Sequence, residues 1–318
     1  MIRYAPATDR TMYFIGVSTG RSAILEVFPR WADVLGLGAV IKGIDFAPDC
    51  DPARYREAVA FIKNDLLSLG ALVTTHKLNL FKAARDLFDE FDPFAQTLGE
   101  ISSISKRGRR LVGCAKDPTT VGHALAAIVD EGYWRSTGGE LLILGAGGSS
   151  MALTLYLHIR AEAGADIPSR VTVTALYDRG LAAIRAVHRR IGFTLPIDYV
   201  VTSEPVSADR LLNKLPVSSM VVNATGLGKD RPGSPLTDAA VFPKNGVAWD
   251  FNYRGDLVFL AQARAAAARA PLQVEDGWVY FIHGWTRVIA EVFNIEISTS
   301  GPEFDRLSRI AREAAKTR

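Results

Sequence analysis

An apolar run that leads directly into a cluster of glycines constrains this chain more than any other feature. The run covers residues 141–144 (LLIL), and Gly145-Ala146-Gly147-Gly148-Ser149-Ser150 follows it, ahead of a helix-like stretch at 151–160. This order predicts a buried parallel strand, a tight turn and a helix whose first backbone N–H groups suit a pyrophosphate. Gly145 permits the turn, and Gly147 lets the backbone approach a phosphate without an intervening Cβ. The pattern therefore indicates a nucleotide site, although an ordinary βα turn has the same outline.

Strands and helices alternate along most of the chain. Its 318 residues exceed one average core, so we expect two domains. Between residues 119 and 272, helical segments separate four apolar strands, which is typical of a doubly wound parallel sheet of the Rossmann type. These strands are expected at 141–144, 171–176, 220–222 and 247–251. Two apolar helices, 279–293 and 302–315, are expected to close the chain.

The first 118 residues show the same α/β alternation. Strands are expected at 12–17, 40–46 and 70–75, and helices at 22–37, 51–69 and 82–91. Segments 101–104 and 111–114 are expected to pair across a basic turn at 106–110. The chain is therefore predicted to be an α/β protein in both halves.

Composition excludes several classes of protein. The net charge is only +3, and the basic cluster at 106–110 looks like a hairpin tip, so we expect no nucleic-acid partner. Cys50, Cys114 and the five histidines show no disulfide framework or ligand spacing, so we expect no metal. The sequence has no run of about 20 apolar residues that could span a membrane. Residues 1–6 lack the core of a signal peptide, which favours a cytoplasmic protein.

Three residues at predicted strand ends could carry chemistry. Asp178, after the second strand of the dinucleotide unit, can accept hydrogen bonds from ribose hydroxyls and favours NAD, whereas the adjacent Arg179 could pair with the 2′-phosphate of NADP. Lys77 can serve as an acid or base when partly buried, and Asp117 follows another strand end. Considered singly, Lys77 and Asp117 are better explained as a solvated turn lysine and a helix N-cap, and a turn carboxylate is the alternative for Asp178.

Six segments resemble, in order and spacing, motifs of the shikimate/quinate dehydrogenase family over nearly the whole chain. Residues 70–77 (GALVTTHK) are similar to the family's G-x-N-V-T-x-P-x-K motif but one residue shorter, and the remaining matches are 99–103 (GEISS), 113–117 (GCAKD), 145–148 (GAGG), 223–228 (NATGLG) and 250–253 (DFNY). The chain is thus identified as a divergent member of that family.

The resemblance implies a dehydrogenase that transfers a hydride reversibly between NAD(P) and a ring hydroxyl of shikimate or a shikimate-like hydroxy acid. Residues 1–118, joined by the C-terminal helices within 273–318, would bind substrate, and residues 119–272 would bind the dinucleotide, with NAD favoured over NADP. Lys77 and Asp117 would be the catalytic pair, and the substrate would contact Ser22, Thr74, Ser102 and Tyr253. The cofactor residues would be Gly145, Ala146, Gly147, Gly148, Ser149, Asp178, Arg179, Asn223, Thr225 and Gly226. A monomer or a homodimer is expected.

Several positions depart from the family's pattern. Ile24 replaces the second hydroxyl of a carboxylate-binding S-x-S pair, Ser102 and Ala115 replace asparagines, and Gly284 replaces a glutamine. Each lost polar partner costs about 1–3 kcal/mol, which allows a different cyclic polyol or an amino-shikimate-type substrate. A non-catalytic nucleotide-binding sensor is a further alternative, against which both Lys77 and Asp117 argue. His76 is a reserve candidate for proton transfer, although an exposed turn residue is the simpler expectation.

Overall fold

A computed structural model describes residues 4–229 and 231–316 of the chain. Contacts divide the chain into two compact units. The first unit contains Met1–Lys116 and Ile282–Arg318, and the second contains Asp117–Phe281.

The described residues contain twelve strands, twelve α-helices and two short 3₁₀ helices at Thr19–Arg21 and Arg85–Leu87. The strands are β1 (Thr11–Gly16), β2 (Val40–Asp45), β3 (Ser68–Val73), β4 (Glu90–Phe91), β5 (Ser103–Arg107), β6 (Arg110–Cys114), β7 (Leu141–Leu144), β8 (Val171–Ala175), β9 (Ile197–Val201), β10 (Met220–Asn223), β11 (Gly246–Asp250) and β12 (Leu272–Glu275). The helices are α1 (Ile24–Val34), α2 (Pro52–Asn64), α3 (Lys77–Ala84), α4 (Pro93–Leu98), α5 (Asp117–Ala126), α6 (Tyr133–Thr137), α7 (Gly148–Glu162), α8 (Asp178–Ile191), α9 (Pro205–Leu212), α10 (Val258–Ala267), α11 (Trp278–Phe293) and α12 (Gly301–Lys316).

The first unit is built on a six-stranded mixed sheet with the order β2-β1-β3-β5-β6-β4. Strand β1 pairs in parallel with β2 and β3, whereas β5 runs antiparallel to both β3 and β6. The carboxyl ends of β1, β3 and β6 therefore meet the start of β5 at one edge, which we name the carboxyl edge of the first sheet. The predicted substrate residues of this unit lie at this edge: Ser22 and Thr74 come after β1 and β3, and Ser102 comes directly before β5.

Helices begin where the sequence supplies capping groups. Asp51 and Asp92 each precede a proline, and each accepts a backbone N–H of the helix that it starts, from Ala53 and Ala95 respectively. A proline in the first helical turn gives up an N–H that would have no partner there. The apolar faces of the helices then pack on the sheet, and Trp31 of α1 also donates its indole N–H to the carbonyl of Leu307 in α12 at 2.9 Å.

The second unit has an all-parallel six-stranded sheet with the order β12-β11-β10-β7-β8-β9. In this doubly wound order the chain reverses direction across the sheet between β7 and β10. Ligands of such sheets bind beyond the carboxyl ends of the strands at that switch point. The predicted α/β fold, with a Rossmann-type sheet in the second unit, is thus confirmed.

Local expectations were less accurate than the fold class. The helix expected at 82–91 was wrong, because α3 begins at Lys77 and ends at Ala84, and the segment closes with β4. Asp89 accepts the backbone N–H of Leu111, which holds this segment beside β6 instead of continuing a helix. Strands β9 and β12, at the two edges of the second sheet, were not predicted. The hairpin across the basic turn is present as β5 and β6.

Candidate functional site

The junction between β3 and α3 holds two of the predicted site residues, Thr74 and Lys77, and the reserve candidate His76 at the carboxyl edge. Thr74 is half-buried, and its backbone N–H donates to the carbonyl of Ile15 at the end of β1. Thr75 follows with a left-handed backbone (φ +50°), which a β-branched residue rarely adopts. Lys77 is half-buried as the first residue of α3, and its carbonyl accepts the N–H of Ile101 at 3.3 Å.

His76 does not lie on the surface, so the expectation of an exposed turn residue was wrong. Its side chain is only 1% exposed, and both ring nitrogens have partners. Nδ1 lies 2.8 Å from the hydroxyl of Tyr55, and Nε2 lies 3.1 Å from the carbonyl oxygen of Phe46. Burial lowers the pKa of His76. A buried imidazole with both nitrogens engaged has no free atom with which to move a substrate proton.

Ser102 serves the backbone at the start of β5. It is buried, and its Oγ accepts the N–H of Lys116 at 2.7 Å, while its own N–H donates to the carbonyl of Cys114. The Ser102 hydroxyl therefore fixes the end of β6 immediately before Asp117, the first residue of α5.

A group of charged side chains anchors the same strand end to α11. Nζ of Lys116 lies 2.7 Å from Glu291, whose other carboxylate oxygen accepts from Arg107 at 2.8 Å. Burial alone would lower the pKa of Lys116, but the contact with Glu291 outweighs burial and raises it. Burial would likewise raise the pKa of Glu291, yet Lys116 and Arg107 hold it below its usual range. Both groups stay charged, so Lys116 is committed to structure rather than to proton transfer.

The turn after β1 brings Ser22 to the carboxyl edge. Ser22 is half-buried, whereas Ile24 is fully buried in the core, so an apolar side chain stands where a second hydroxyl was expected. Thr19 is fixed within this turn, because its N–H donates to the carboxylate of Asp45 at 2.8 Å. The guanidinium of Arg21, which lies between Thr19 and Ser22 in sequence, is exposed. Arg21 was not among the predicted site residues, although a positive charge beside Ser22 is a local signal for an anionic ligand.

The glycine turn of the second unit has the conformation that the motif predicted. Gly145 follows buried β7 with φ +111°, and a Cβ there would lie 2.9 Å from the carbonyl oxygen of Ala224, after β10. Ser150 donates to the carbonyl of Gly145 at 2.8 Å and closes the turn. Gly147 precedes α7, no side chain caps the helix there, and a Cβ on Gly147 would meet nothing within 4 Å. Gly147 is exposed, so the chain is open to solvent immediately before α7.

A hydrogen-bonded network holds the loops that follow β10 and β11. Asn223 donates to Asp250 at 3.1 Å and accepts both the N–H and the hydroxyl of Thr225. Asn252 donates its amide to the carbonyls of Thr225 and Leu227. Asp250 is fully buried, and its second oxygen has no partner. Burial raises the pKa of Asp250 to about 6. Gly226 lies within this network, which shapes the loop facing Gly145.

The residues after β8 combine both charges. Asp178 begins α8, is largely exposed, and pairs with Arg185 at 2.6 Å. The guanidinium of Arg179 lies 5.3 Å from the ring centre of Tyr177. The carboxylate on which the expectation of NAD depended is therefore already paired with a cation.

The other predicted site residue of the second unit is Tyr253. It is half-buried, and its ring packs against Phe281 and edge-on against Trp278, with centroids 4.5 and 5.6 Å away. The predicted substrate residues are therefore distributed over both units, with Ser22, Thr74, Lys77 and Ser102 at the carboxyl edge of the first sheet.

The described residues show neither a metal-binding cluster nor a membrane-spanning helix. No group of three or more His, Cys, Asp or Glu side chains in residues 4–229 and 231–316 could hold a metal ion. Within the same ranges, every helix is too short or too polar to cross a bilayer.

Comparison with solved structures shows the fold. The structure of shikimate dehydrogenase from Aquifex aeolicus matches with a TM-score of 0.72 at 18% identity, over 99% of this chain and 100% of that one. Shikimate 5-dehydrogenase from Thermus thermophilus, solved with NADP(H) and shikimate, matches with 0.67 at 22% identity, over 96% and 99%. The 5-ketofructose reductase of a Gluconobacter strain matches with 0.68 at 14% identity, over 96% and 98%.

Comparison of sequences identifies the family. No model of a known protein family matches the chain. The shikimate dehydrogenase (NADP(+)) of Symbiobacterium thermophilum is 29% identical over 65% of this chain and 65% of its own length. That of Salinibacter ruber is 30% identical over 70% of this chain and 72% of its own length. The chain belongs to the shikimate dehydrogenase family.

Proposed function

We propose that the chain is an NADP(H)-dependent dehydrogenase that interconverts a hydroxyl and a ketone on the ring of shikimate or a similar cyclic hydroxy acid. The observation that carries the proposal is the arrangement of Ser22, Thr74 and Lys77 at one edge of the first sheet, in a chain of the shikimate dehydrogenase family. The relatives from Salinibacter ruber and Symbiobacterium thermophilum are both named as shikimate dehydrogenases.

Lys77 is proposed to move the proton of the reacting hydroxyl. Reduction of a ketone needs a proton on the oxygen, and oxidation of the alcohol needs an acceptor for that proton. Asp117 is proposed to accept a hydrogen bond from the same hydroxyl and so fix its orientation. When bound, the nicotinamide supplies or accepts the hydride. Ser22 and Thr74 would orient the ring. The assigned role of Ser102 is to hold the strand end before Asp117, since its hydroxyl already serves the N–H of Lys116.

The glycine turn fits a dinucleotide. Gly145 needs its left-handed conformation and leaves room for the loop after β10, while the space beside Gly147 is open. An uncapped helix start offers N–H groups and the positive end of the helix dipole to a pyrophosphate. Gly145, Ala146, Gly147, Gly148 and Ser149 would hold it, and Asn223, Thr225 and Gly226 would form the neighbouring loop.

The proposal assigns NADP(H) rather than the NAD that Asp178 suggested. The names of the relatives do not support a preference for NAD. Asp178 is paired with Arg185, and Arg179 adds a second positive charge beside it, so the local charge favours a 2′-phosphate. Replacing Arg179 with Gln should weaken NADP binding about 10-fold and leave NAD binding unchanged. Arg190→Gln, at an exposed arginine of the last turn of α8, is the matched control.

The anionic group of the substrate is proposed to contact Ser22 and the exposed Arg21. Ile24 is buried and has no hydroxyl with which to bind a carboxylate. The guanidinium of Arg21, next to Ser22, can bind the carboxylate instead. A neutral cyclic polyol is the second candidate, because the buried Ile24 supplies no hydroxyl for an anionic group.

The test is absorbance of reduced nicotinamide with the purified full chain, shikimate or quinate, and NAD and NADP in turn. We expect turnover, with NADP preferred. Lys77→Ala should lower kcat about 100-fold or more while dinucleotide binding, measured by calorimetry, stays unchanged. Lys82→Ala, at an exposed lysine of the same helix, is the control and should behave as wild type. Full activity of Lys77→Ala would refute the catalytic assignment. Turnover of neutral polyols but of neither shikimate nor quinate would refute the proposal of a carboxylate substrate.

A further inference from the structure

The imidazole of His76 joins three separate segments of the first unit. Its Nε2 donates to the carbonyl of Phe46, just after β2, and its Nδ1 is bonded to the hydroxyl of Tyr55 in α2. The ring also lies edge-on to Phe46, with centroids 5.8 Å apart. These partners stand 30 and 21 residues away in sequence. A residue at the start of α3 is thereby tied both to the sheet edge and to the neighbouring helix.

The chemistry of the partners fixes the direction of both hydrogen bonds. A carbonyl oxygen only accepts, so Nε2 must carry a proton. Burial lowers the pKa of His76, which leaves Nδ1 as an acceptor. Burial, together with the neighbouring Cys50 thiol, raises the pKa of Tyr55 to about 12, so its hydroxyl remains a donor. The Tyr55 hydroxyl therefore donates to Nδ1 of His76, and Nε2 of His76 donates to the carbonyl of Phe46. Neither hydrogen bond leaves His76 a proton to exchange with a substrate.

The backbone at residues 74–76, which these hydrogen bonds hold, is strained. Thr75 keeps φ +50°, and the N–H of His76 is bonded to the carbonyl of Thr74 in a very tight turn. A β-branched residue stays in that region only when its surroundings enforce it. Lys77 follows immediately as the first residue of α3. The hydrogen bonds of His76 to Tyr55 and Phe46 thus act on the backbone immediately before Lys77.

We infer that His76 and Tyr55 are positioning residues for Lys77, and that their hydrogen bond holds the shortened β3–α3 junction so that the lysine reaches the reacting oxygen. The inference rests on the proposed function of Lys77. It assigns His76 a role other than proton transfer. Displacement of a reacting group by about 1 Å can cost about 100-fold in rate, so loss of this hydrogen bond should affect kcat rather than substrate binding.

Two variants and one matched control test this inference in the full chain. Tyr55→Phe removes the hydroxyl and keeps the ring, and His76→Gln keeps a donor toward Phe46 but loses the imidazole. Tyr13→Phe makes the same chemical change at another buried tyrosine of the first unit, one that packs edge-on against Phe61. Thermal unfolding and circular dichroism establish that each variant is folded.

The first readout needs no substrate. The rate at which an amine-reactive reagent labels Lys77 is followed by mass spectrometry of its peptide as a function of pH. Tyr55→Phe and His76→Gln should label about 5-fold faster, because an unheld junction lets the amine turn into solvent. Tyr13→Phe should label at the wild-type rate even if its unfolding temperature falls. A folded Tyr55→Phe variant with the wild-type labelling rate would overturn the inference.

The second readout is turnover of whichever substrate the wild type accepts. Tyr55→Phe should lower kcat about 10-fold, with KM and the dinucleotide Kd unchanged, and Tyr13→Phe should change none of them. An unchanged kcat in Tyr55→Phe contradicts the inference while the proposed function stands. Full activity of Lys77→Ala contradicts the proposed function, and the labelling rates then still decide whether His76 and Tyr55 hold the lysine in place.

Discussion

Asp250 should make the second unit less stable as pH rises through the weakly acidic range. Its carboxyl is fully buried, and burial raises its pKa to about 6 from the usual 3.8. The folded protein therefore binds a proton more tightly than the unfolded chain does between these values. The stability contributed by the protonated carboxyl is complete below about pH 3.8 and decreases as pH rises to about 6.

The magnitude follows from the size of the shift. Roughly two pKa units correspond to about 3 kcal/mol, and about half of this is lost between about pH 5 and pH 8. In Asp250→Asn, the amide oxygen can still accept from Asn223 and from the N–H of Asn252. The new amide nitrogen takes the place of the oxygen that has no partner, and any cost of this is independent of pH.

Urea unfolding at several pH values, followed by tryptophan fluorescence, measures the effect. The buried Trp249 adjoins Asp250 and reports on its surroundings. Relative to wild type, Asp250→Asn should gain about 1.5 kcal/mol on going from about pH 5 to pH 8. Asp209→Asn is the matched control for losing a buried carboxylate, since both oxygens of Asp209 are bonded to Thr237. A difference between Asp250→Asn and wild type that does not change with pH would refute the reasoning.

Three further results are expected. Gly145→Ala should abolish dinucleotide binding or destabilise the fold, because its Cβ would lie 2.9 Å from the Ala224 carbonyl oxygen at φ +111°, whereas Gly147→Ala should fold normally and bind the dinucleotide more weakly by calorimetry. His188, whose pKa burial lowers to about 4, destabilises the fold as pH falls below about 6.5, so His188→Gln should remove up to about 3 kcal/mol of that loss in urea unfolding. Arg21→Gln should raise KM about 10-fold for a carboxylate substrate but not for its methyl ester, and Arg30→Gln, at an exposed arginine of α1, should change neither.

Local sequence was sufficient to predict the strands that are buried along their whole length. Strand β7 is buried on both faces, so its unbroken apolar run and the glycines after it identified both the strand and the turn. Strand β9 lies at the sheet edge with two of its five residues exposed, and its Asp198 and Tyr199 interrupt any apolar run. Such a strand is defined by its hydrogen bonds to β8, which no local pattern reveals.

The candidate site shows the same difference. The glycine turn was predicted from its local residue pattern, whereas Lys77 was predicted as catalytic only through the resemblance of residues 70–77 to a family motif. The burial of His76 was not, because its two hydrogen-bond partners are distant in sequence and a short polar stretch ordinarily forms an exposed turn. The commitment of Ser102 to the N–H of Lys116 likewise depends on the pairing of β5 with β6.

The division of the chain has a consequence for its synthesis. The first unit is discontinuous, since it contains residues from both before and after the second unit. The hydrogen bond from Trp31 to Leu307 joins positions 276 residues apart, so it cannot form until translation has passed through the whole second unit. The second unit is continuous and can fold as soon as it leaves the ribosome. Until α11 and α12 have been synthesised, the face of α1 that packs on α12 remains exposed. A chaperone would have most effect during this period.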